Sequence, residues 1–171
     1  ASPQIAVSPA SRRDAQALLA AQRVAAEAEL LALAPGSVWG TKRWTEEGFS
    51  ALASGARARG LTPVLLGSND ERALCERVAA GIEGAVILAG RTSIRELAAI
   101  LERAVALVAN DSGPGHMAAA VRTPVVTVYG PTVPAFGYAP FGDSHRVVEE
   151  REWVNGELIE VCLLHRDEVL L

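Results

Sequence analysis

Ala104-Val105-Ala106-Leu107-Val108-Ala109-Asn110-Asp111-Ser112-Gly113-Pro114-Gly115-His116-Met117-Ala118-Ala119-Ala120, followed closely by Val125-Val126-Thr127-Val128-Tyr129-Gly130, decides the fold of this chain. The apolar run reads as a strand, the polar stretch as a tight turn, the alanine-rich run as a helix and the β-branched run as a second strand. Ser112 is expected to cap the helix with its hydroxyl. Pro114 falls in the first turn, where a missing N–H costs nothing. Gly113 and Gly115 leave backbone N–H groups uncovered there. A helix start of this kind favours an anion, typically a phosphate, through its unpaired donors and positive dipole end.

The same alternation extends outward on the N-terminal side. Leu30 to Ala34 is a continuous apolar run, as a strand buried on both faces requires. Thr45 reads as an N-cap with Glu46 and Glu47 in the first turn, and Gly60 as the residue that ends that helix. Thr62 to Gly67 reads as a strand, Ser68 to about Ala80 as a helix and Ala85 to Leu88 as a third strand. Ser93 and Glu96 form a capping-box pattern before a helix that ends near Arg103. Arg12 to about Ala28 has helical propensity, with Leu18, Leu19 and Val24 on its buried side. Residues 1–11 read as a linker or chain end, and 12–171 as one domain.

Strands alternating with helices imply βαβ units and a parallel sheet flanked by helices, an α/β fold. Ligands of such sheets bind beyond the carboxyl ends of the strands. Four polar turns meet at that edge: Pro35 to Trp44, Ser68 to Glu71, Gly90 to Ser93 and Asn110 to His116. Beyond Tyr129, Gly130 to Pro134 breaks regular structure, Phe136 to Asp143 reads as a loop, His145 to Glu149 as a short strand and Val161 to Leu171 as a terminal helix.

Composition narrows the class. With 50% apolar and 21% charged residues in 171, the chain can bury a full core. A net charge of −4 gives no basic footprint for nucleic acid. Cys75 and Cys162 are too few for a disulfide scaffold and match no metal spacing, so a reducing compartment is the default. No apolar run approaches a transmembrane segment and none reads as a signal peptide. The expected localisation is cytoplasmic, with peripheral membrane attachment through another part of a larger protein compatible with it. No strand leads into Gly-x-Gly-x-x-Gly, which argues against a dinucleotide oxidoreductase. Neither a metal nor a resident cofactor is expected: Lys42 and the helix start can take a metal's neutralising role, and no Asp-x-Asp metal motif is present either.

Taken together and in this order, the turns resemble the C-terminal domain of the ADP-heptose:lipopolysaccharide heptosyltransferases, glycosyltransferase family 9. The resemblance rests on Pro35-Gly36-Ser37 with Thr41-Lys42-Arg43-Trp44, Leu66-Gly67 with Asp70-Glu71, Leu88-Ala89-Gly90 with Ser93-Ile94-Arg95-Glu96-Leu97, Asn110 to Ala119, and Val126 to Thr132. It implies a Rossmann-like domain, the C-terminal half of a GT-B glycosyltransferase. In that architecture this half holds the nucleotide-sugar donor, and an N-terminal domain binds the acceptor and supplies the general base. A complete enzyme would need roughly twice this length. The implied partners are ADP-heptose or a related nucleotide sugar, the N-terminal acceptor domain and a lipopolysaccharide core acceptor.

Within that resemblance Lys42 is the first candidate, a point charge that stabilises the departing nucleoside diphosphate. Arg43 reads as pairing with a helix acid or serving the same phosphates. Ser37 either bonds those phosphates or only builds its turn. Ser112 and Gly113 would offer a hydroxyl and an N–H to the diphosphate, with Gly115 beside them. Asp111, an anion near a phosphate, would orient the turn or bond a sugar hydroxyl. His116 would donate to phosphate or sugar, or else sit in the core. Glu71 would accept the ribose hydroxyls or act only as a first-turn acid, with Asp70 as the alternative. Thr92 would lie near the adenine, where the family carries a larger apolar residue. Trp44 is expected to pack under its loop, Cys75 to fill the core, and Tyr138 and Phe141 to face the interdomain cleft. Two other functions fit the same residues: a glycosyltransferase domain using another nucleotide sugar, and a non-catalytic nucleotide-binding module.

Overall fold

The computed structural model describes residues 4–129 and 145–149. Six parallel strands form one sheet: β1 (Leu30–Ala34), β2 (Thr62–Leu65), β3 (Val86–Ile87), β4 (Ala106–Asn110), β5 (Val125–Tyr129) and β6 (His145–Glu149). Their order is β3-β2-β1-β4-β5-β6, the doubly wound arrangement of a Rossmann sheet. All five neighbouring pairs are parallel. The order reverses between β1 and β4, where Ala34 lies opposite Ala109. Crossover connections leave these two strands in opposite directions, which opens a crevice beyond their carboxyl ends.

Helices α1 (Pro9–Ala21), α4 (Ile94–Arg103) and α5 (Gly113–Ala120) cover one face of the sheet. Helices α2 (Glu46–Ala58) and α3 (Arg72–Ala79) cover the other. Alternation along β1 makes both cores. Leu30, Ala32 and Ala34 enter the first, and Leu31 and Leu33 enter the second. Burial on both faces is why the strands read as unbroken apolar runs. Among the described residues no helix is long and apolar enough to cross a membrane.

The caps at Thr45 and Ser93 form as expected. Thr45 Oγ1 accepts from the Gly48 N–H at 3.0 Å. Ser93 and Glu96 make the reciprocal box, with the Ser93 N–H donating to Glu96 at 2.7 Å. Gly60 ends its helix at φ +82°. Three expectations are corrected. Helix α1 begins at Pro9, capped by Ser8, and Val7 is buried, so the stretch read as linker packs on the body. That helix stops at Ala21 and not near Ala28. There the Val24 N–H turns back to Leu19 and Arg23 takes φ 61°.

The Ser112 side-chain cap on α5 is also not made. The hydroxyl donates to the Asn110 carbonyl at 3.1 Å instead. Pro114 has no N–H to give, and the Gly115 N–H already bonds the Ser112 carbonyl at 3.2 Å, so the cap has lost its donors. The expectations for Gly130 to Pro134, Phe136 to Asp143 with Tyr138 and Phe141, Glu150 to Glu160, Cys162 and the terminal helix lie outside the described residues.

Candidate active site

A cleft of about 380 Å³ opens at the carboxyl edge of the sheet. All four turns line it, and the first also supplies a lysine that pairs with the aspartate of the fourth. Gly36, Ser37 and Val38 follow β1, Gly67, Ser68 and Glu71 follow β2, and Thr92 and Ser93 lead into α4 at Ile94. Ser112, Gly113 and Pro114 close the fourth side at the start of α5. Of the residues singled out from sequence, Ser37, Glu71, Thr92, Ser112 and Gly113 therefore share one lining.

Gly113 needs no special backbone angle there, and a Cβ would meet no atom within 4 Å. What the glycine contributes is open approach to its backbone. The rim is apolar and exposed: Val38 is 90% and Ile94 74% accessible, beside Trp39 at 67%.

Lys42 and Asp111 lie outside that lining but pair with each other. Lys42 Nζ meets Asp111 Oδ2 at 2.5 Å, with the carboxylate side chain only 8% exposed. The turn thus carries its anion already matched to a cation from the β1 loop, which resolves the oddity of an aspartate next to a phosphate-type helix start. Among the described residues Arg43 pairs with no helix acid. Its Nε and Nη2 both donate to the Ser37 carbonyl, at 2.9 and 2.6 Å. Ser37 itself is 3% exposed, a turn residue clamped from the far side of its loop.

Glu71 is held tightly. Its Oε2 accepts from the Ser68 N–H at 2.7 Å and from the Ser68 hydroxyl at 3.1 Å. The carboxylate lies against Gly36 and Gly67, where a Cβ would stand 2.0 Å and 2.9 Å from its oxygens. Gly36 thereby admits a side chain from the turn after β2. Trp44 packs against Phe49 with the rings tilted at 59° and their centroids 5.0 Å apart, as expected of a residue packed under the loop. Cys75 is buried, and burial followed by the charges of Glu71 and Glu76 pushes its thiol up to about 12.

Two residues fall away from the cleft. His116 is exposed on the second turn of α5, and Gly115 is buried beneath that turn. One residue was missed. Asn110, 0% exposed, donates from Nδ2 to the Pro35 carbonyl at 2.8 Å and accepts the Trp44 N–H on Oδ1 at 2.8 Å. Its position at the end of an apolar strand is the one signal available, since a polar side chain there must find partners. Among the described residues no three His, Cys, Asp or Glu side chains gather to hold a metal.

A family model described as glycosyltransferase family 9 (heptosyltransferase) matches residues 1–166. The chain belongs to glycosyltransferase family 9. It is 32% identical over 141 residues to lipooligosaccharide heptosyltransferase 2 of Haemophilus influenzae, covering 79% of this chain and 40% of that protein. It is 42% identical over 102 residues to lipopolysaccharide heptosyltransferase 1 of Pseudomonas aeruginosa, covering 59% of this chain and 28% of that one. The chain therefore spans less than half the length of these curated relatives.

Its fold matches the E. coli ADP-heptose lipopolysaccharide heptosyltransferase II with a TM-score of 0.86 and 24% identity, over 99% of this chain and 55% of that one. A family 9 glycosyltransferase of Veillonella parvula matches with a TM-score of 0.79 and 26% identity, over 92% and 46%. The architecture is that of the GT-B heptosyltransferases.

Proposed function

We propose that this chain is the donor-binding half of an inverting glycosyltransferase that takes heptose from ADP-heptose and passes it to the inner core of lipopolysaccharide. One observation carries the reading. In a family 9 chain, the cleft sits at the strand-order reversal and is lined by the turns that would cradle a nucleoside diphosphate. The chemistry is an in-line displacement at the anomeric carbon. An acceptor domain outside this chain would deprotonate the acceptor hydroxyl. This half would bind the nucleotide and stabilise the charge that builds on ADP as it leaves.

Lys42 is the group suited to that second task, being cationic, partly accessible and set beside the start of α5. Ser112 and Gly113 would meet the same phosphates, with Ser37 behind them. Glu71 would accept the ribose hydroxyls on its Oε1 side. Thr92, Ile94 and Leu97 would border the base. His116, away from the cleft lining, would reach only the sugar end of the donor. The donor is a substrate, and no cofactor is assigned. Work on a lipopolysaccharide acceptor would keep the protein in the cytoplasm, at the face of the inner membrane.

Isothermal titration of the chain with ADP, UDP and GDP tests this. ADP is expected to bind most tightly, and Lys42→Ala to weaken it by about 10-fold, the cost of one charge-assisted contact. Equal affinity for all three would favour a different donor. Binding that is indifferent to Lys42 would favour a non-catalytic nucleotide module. Sugar transfer by the chain alone would overturn the division into two halves.

A further inference from the structure

We infer that Asn110 is a positioning residue that presets Lys42 for the nucleoside diphosphate, an inference that rests on the donor-binding reading. The loop from Pro35 to Trp44 carries both Ser37 and Lys42 and starts where β1 ends. A loop of that length has many conformations, and ordering it costs backbone entropy at every residue. Asn110 fastens it at both ends. Its Nδ2 holds the first carbonyl, that of Pro35, at 2.8 Å, with the Gly36 carbonyl at 3.5 Å. Its Oδ1 holds the last N–H, that of Trp44, at 2.8 Å. One amide group spans the loop's two stems, and its donor and acceptor fit them in only one orientation.

The next residue, Asp111, then takes the lysine itself at 2.5 Å. Backbone and side chain of the loop are thus set by two consecutive residues of β4 and its turn. The amide is fully buried, so its bonds are not in exchange with water and an unmade one would be costly. Leu107 and Ala109, on the same strand, have only apolar work to do. The polar residue stands at the carboxyl end of β4, where its amide meets both loop stems.

A double-mutant cycle separates positioning from general support. Asn110→Ala and the milder Asn110→Ser are made alone and with Lys42→Ala, and melting temperatures confirm folding. Titrations use ADP and adenosine. Asn110→Ala is expected to weaken ADP by about fivefold or more in the parent, and by about twofold or less once Lys42 is gone, as coupled residues do. Asn110→Ser is expected to fall between, and adenosine affinity to change little. An equal loss in both backgrounds, or an equal loss for ADP and adenosine, overturns the inference.

Hydrogen exchange of the Trp44 amide needs no ligand. In Asn110→Ala it should speed up while amides of β1 and β4 stay protected. If the parent binds no nucleotide, the donor reading fails on its own. Exchange then decides whether Asn110 fastens the loop, and unchanged Trp44 exchange overturns it.

Discussion

Replacing Gly36 with alanine should act on a residue far along the chain. An added Cβ would stand 2.0 Å from Glu71 Oε1, 2.2 Å from Cδ and 2.9 Å from Cγ, against an ordinary contact of 3.4 Å or more. The carboxylate has to move by at least the difference, 1.4 Å. Retreat past Gly67 is closed to it, since Gly67 already lies against the other oxygen. It must swing outward, which breaks the 2.7 Å bond from the Ser68 N–H.

A hydrogen bond to a charged group contributes ~1.5–3 kcal/mol, but Ser68 is exposed and its N–H will turn to water, so the net loss should be nearer ~1 kcal/mol. For a domain of this size that is a fall of about 3 °C in melting temperature. ADP affinity should drop as well, by about 10-fold if the displaced carboxylate is the ribose acceptor. Calorimetric melting and titration with ADP read the two effects. In a Glu71→Ala background the clash is gone, and Gly36→Ala should then cost almost nothing. A melting temperature within 1 °C of the parent, with unchanged ADP affinity, would refute the wedge and the part given to Glu71.

Two other predictions concern stability. Burial, and then the Asp111 charge, raises the Tyr129 phenol from 10.0 to about 12, as burial raises the Cys75 thiol from 9.0 to about 12. Both groups keep their protons longer when folded, so the folded chain binds more protons than the unfolded one and stability falls as pH rises above about 9. Cys75→Ala should flatten that slope between pH 9 and 10, where the thiol titrates in the unfolded chain before the phenol; a slope identical in both proteins would exclude it. Ser93→Ala should cost ~1 kcal/mol as a lost N-cap. The Ser93 bonds hold the Glu96 carboxyl below its usual range, so this share of stability is present above about pH 4.5 and fades as pH falls; acid titration of the variant should show a shallower decline.

Local chemistry was legible and long-range pairing was not. The strands, both side-chain caps at Thr45 and Ser93, and the helix-ending Gly60 follow from patterns a few residues long. The convergence of four turns on one edge follows from the alternation of strands and helices, and it brought Ser37, Glu71, Thr92, Ser112 and Gly113 together. The Ser112 cap failed for a reason already written in the chain, because Pro114 two residues on has no N–H. The extent of α1 failed because alanine-rich sequence continues past the point where tertiary contacts turn the chain. Lys42 with Asp111, separated by 69 residues, and Asn110 with Pro35, separated by 75, join segments whose meeting no local pattern encodes. Glu71 against Gly36 is of the same kind: the empty space belongs to the turn after β1 and the side chain to the turn after β2.

Strand β3 is only two residues long and stands at one edge of the sheet. An edge strand leaves one side of its backbone without a ladder partner, and a long flat one invites a neighbouring chain to extend the sheet. Val86 and Ile87 offer too short a template for that. The helix-capping turn at Gly90 follows almost at once, with its φ of +70°, and carries the backbone out of line. A sheet this rich in apolar strands is thereby blunted against self-templated growth on that side, and neighbouring molecules at high concentration would have little purchase there for pairing edge to edge.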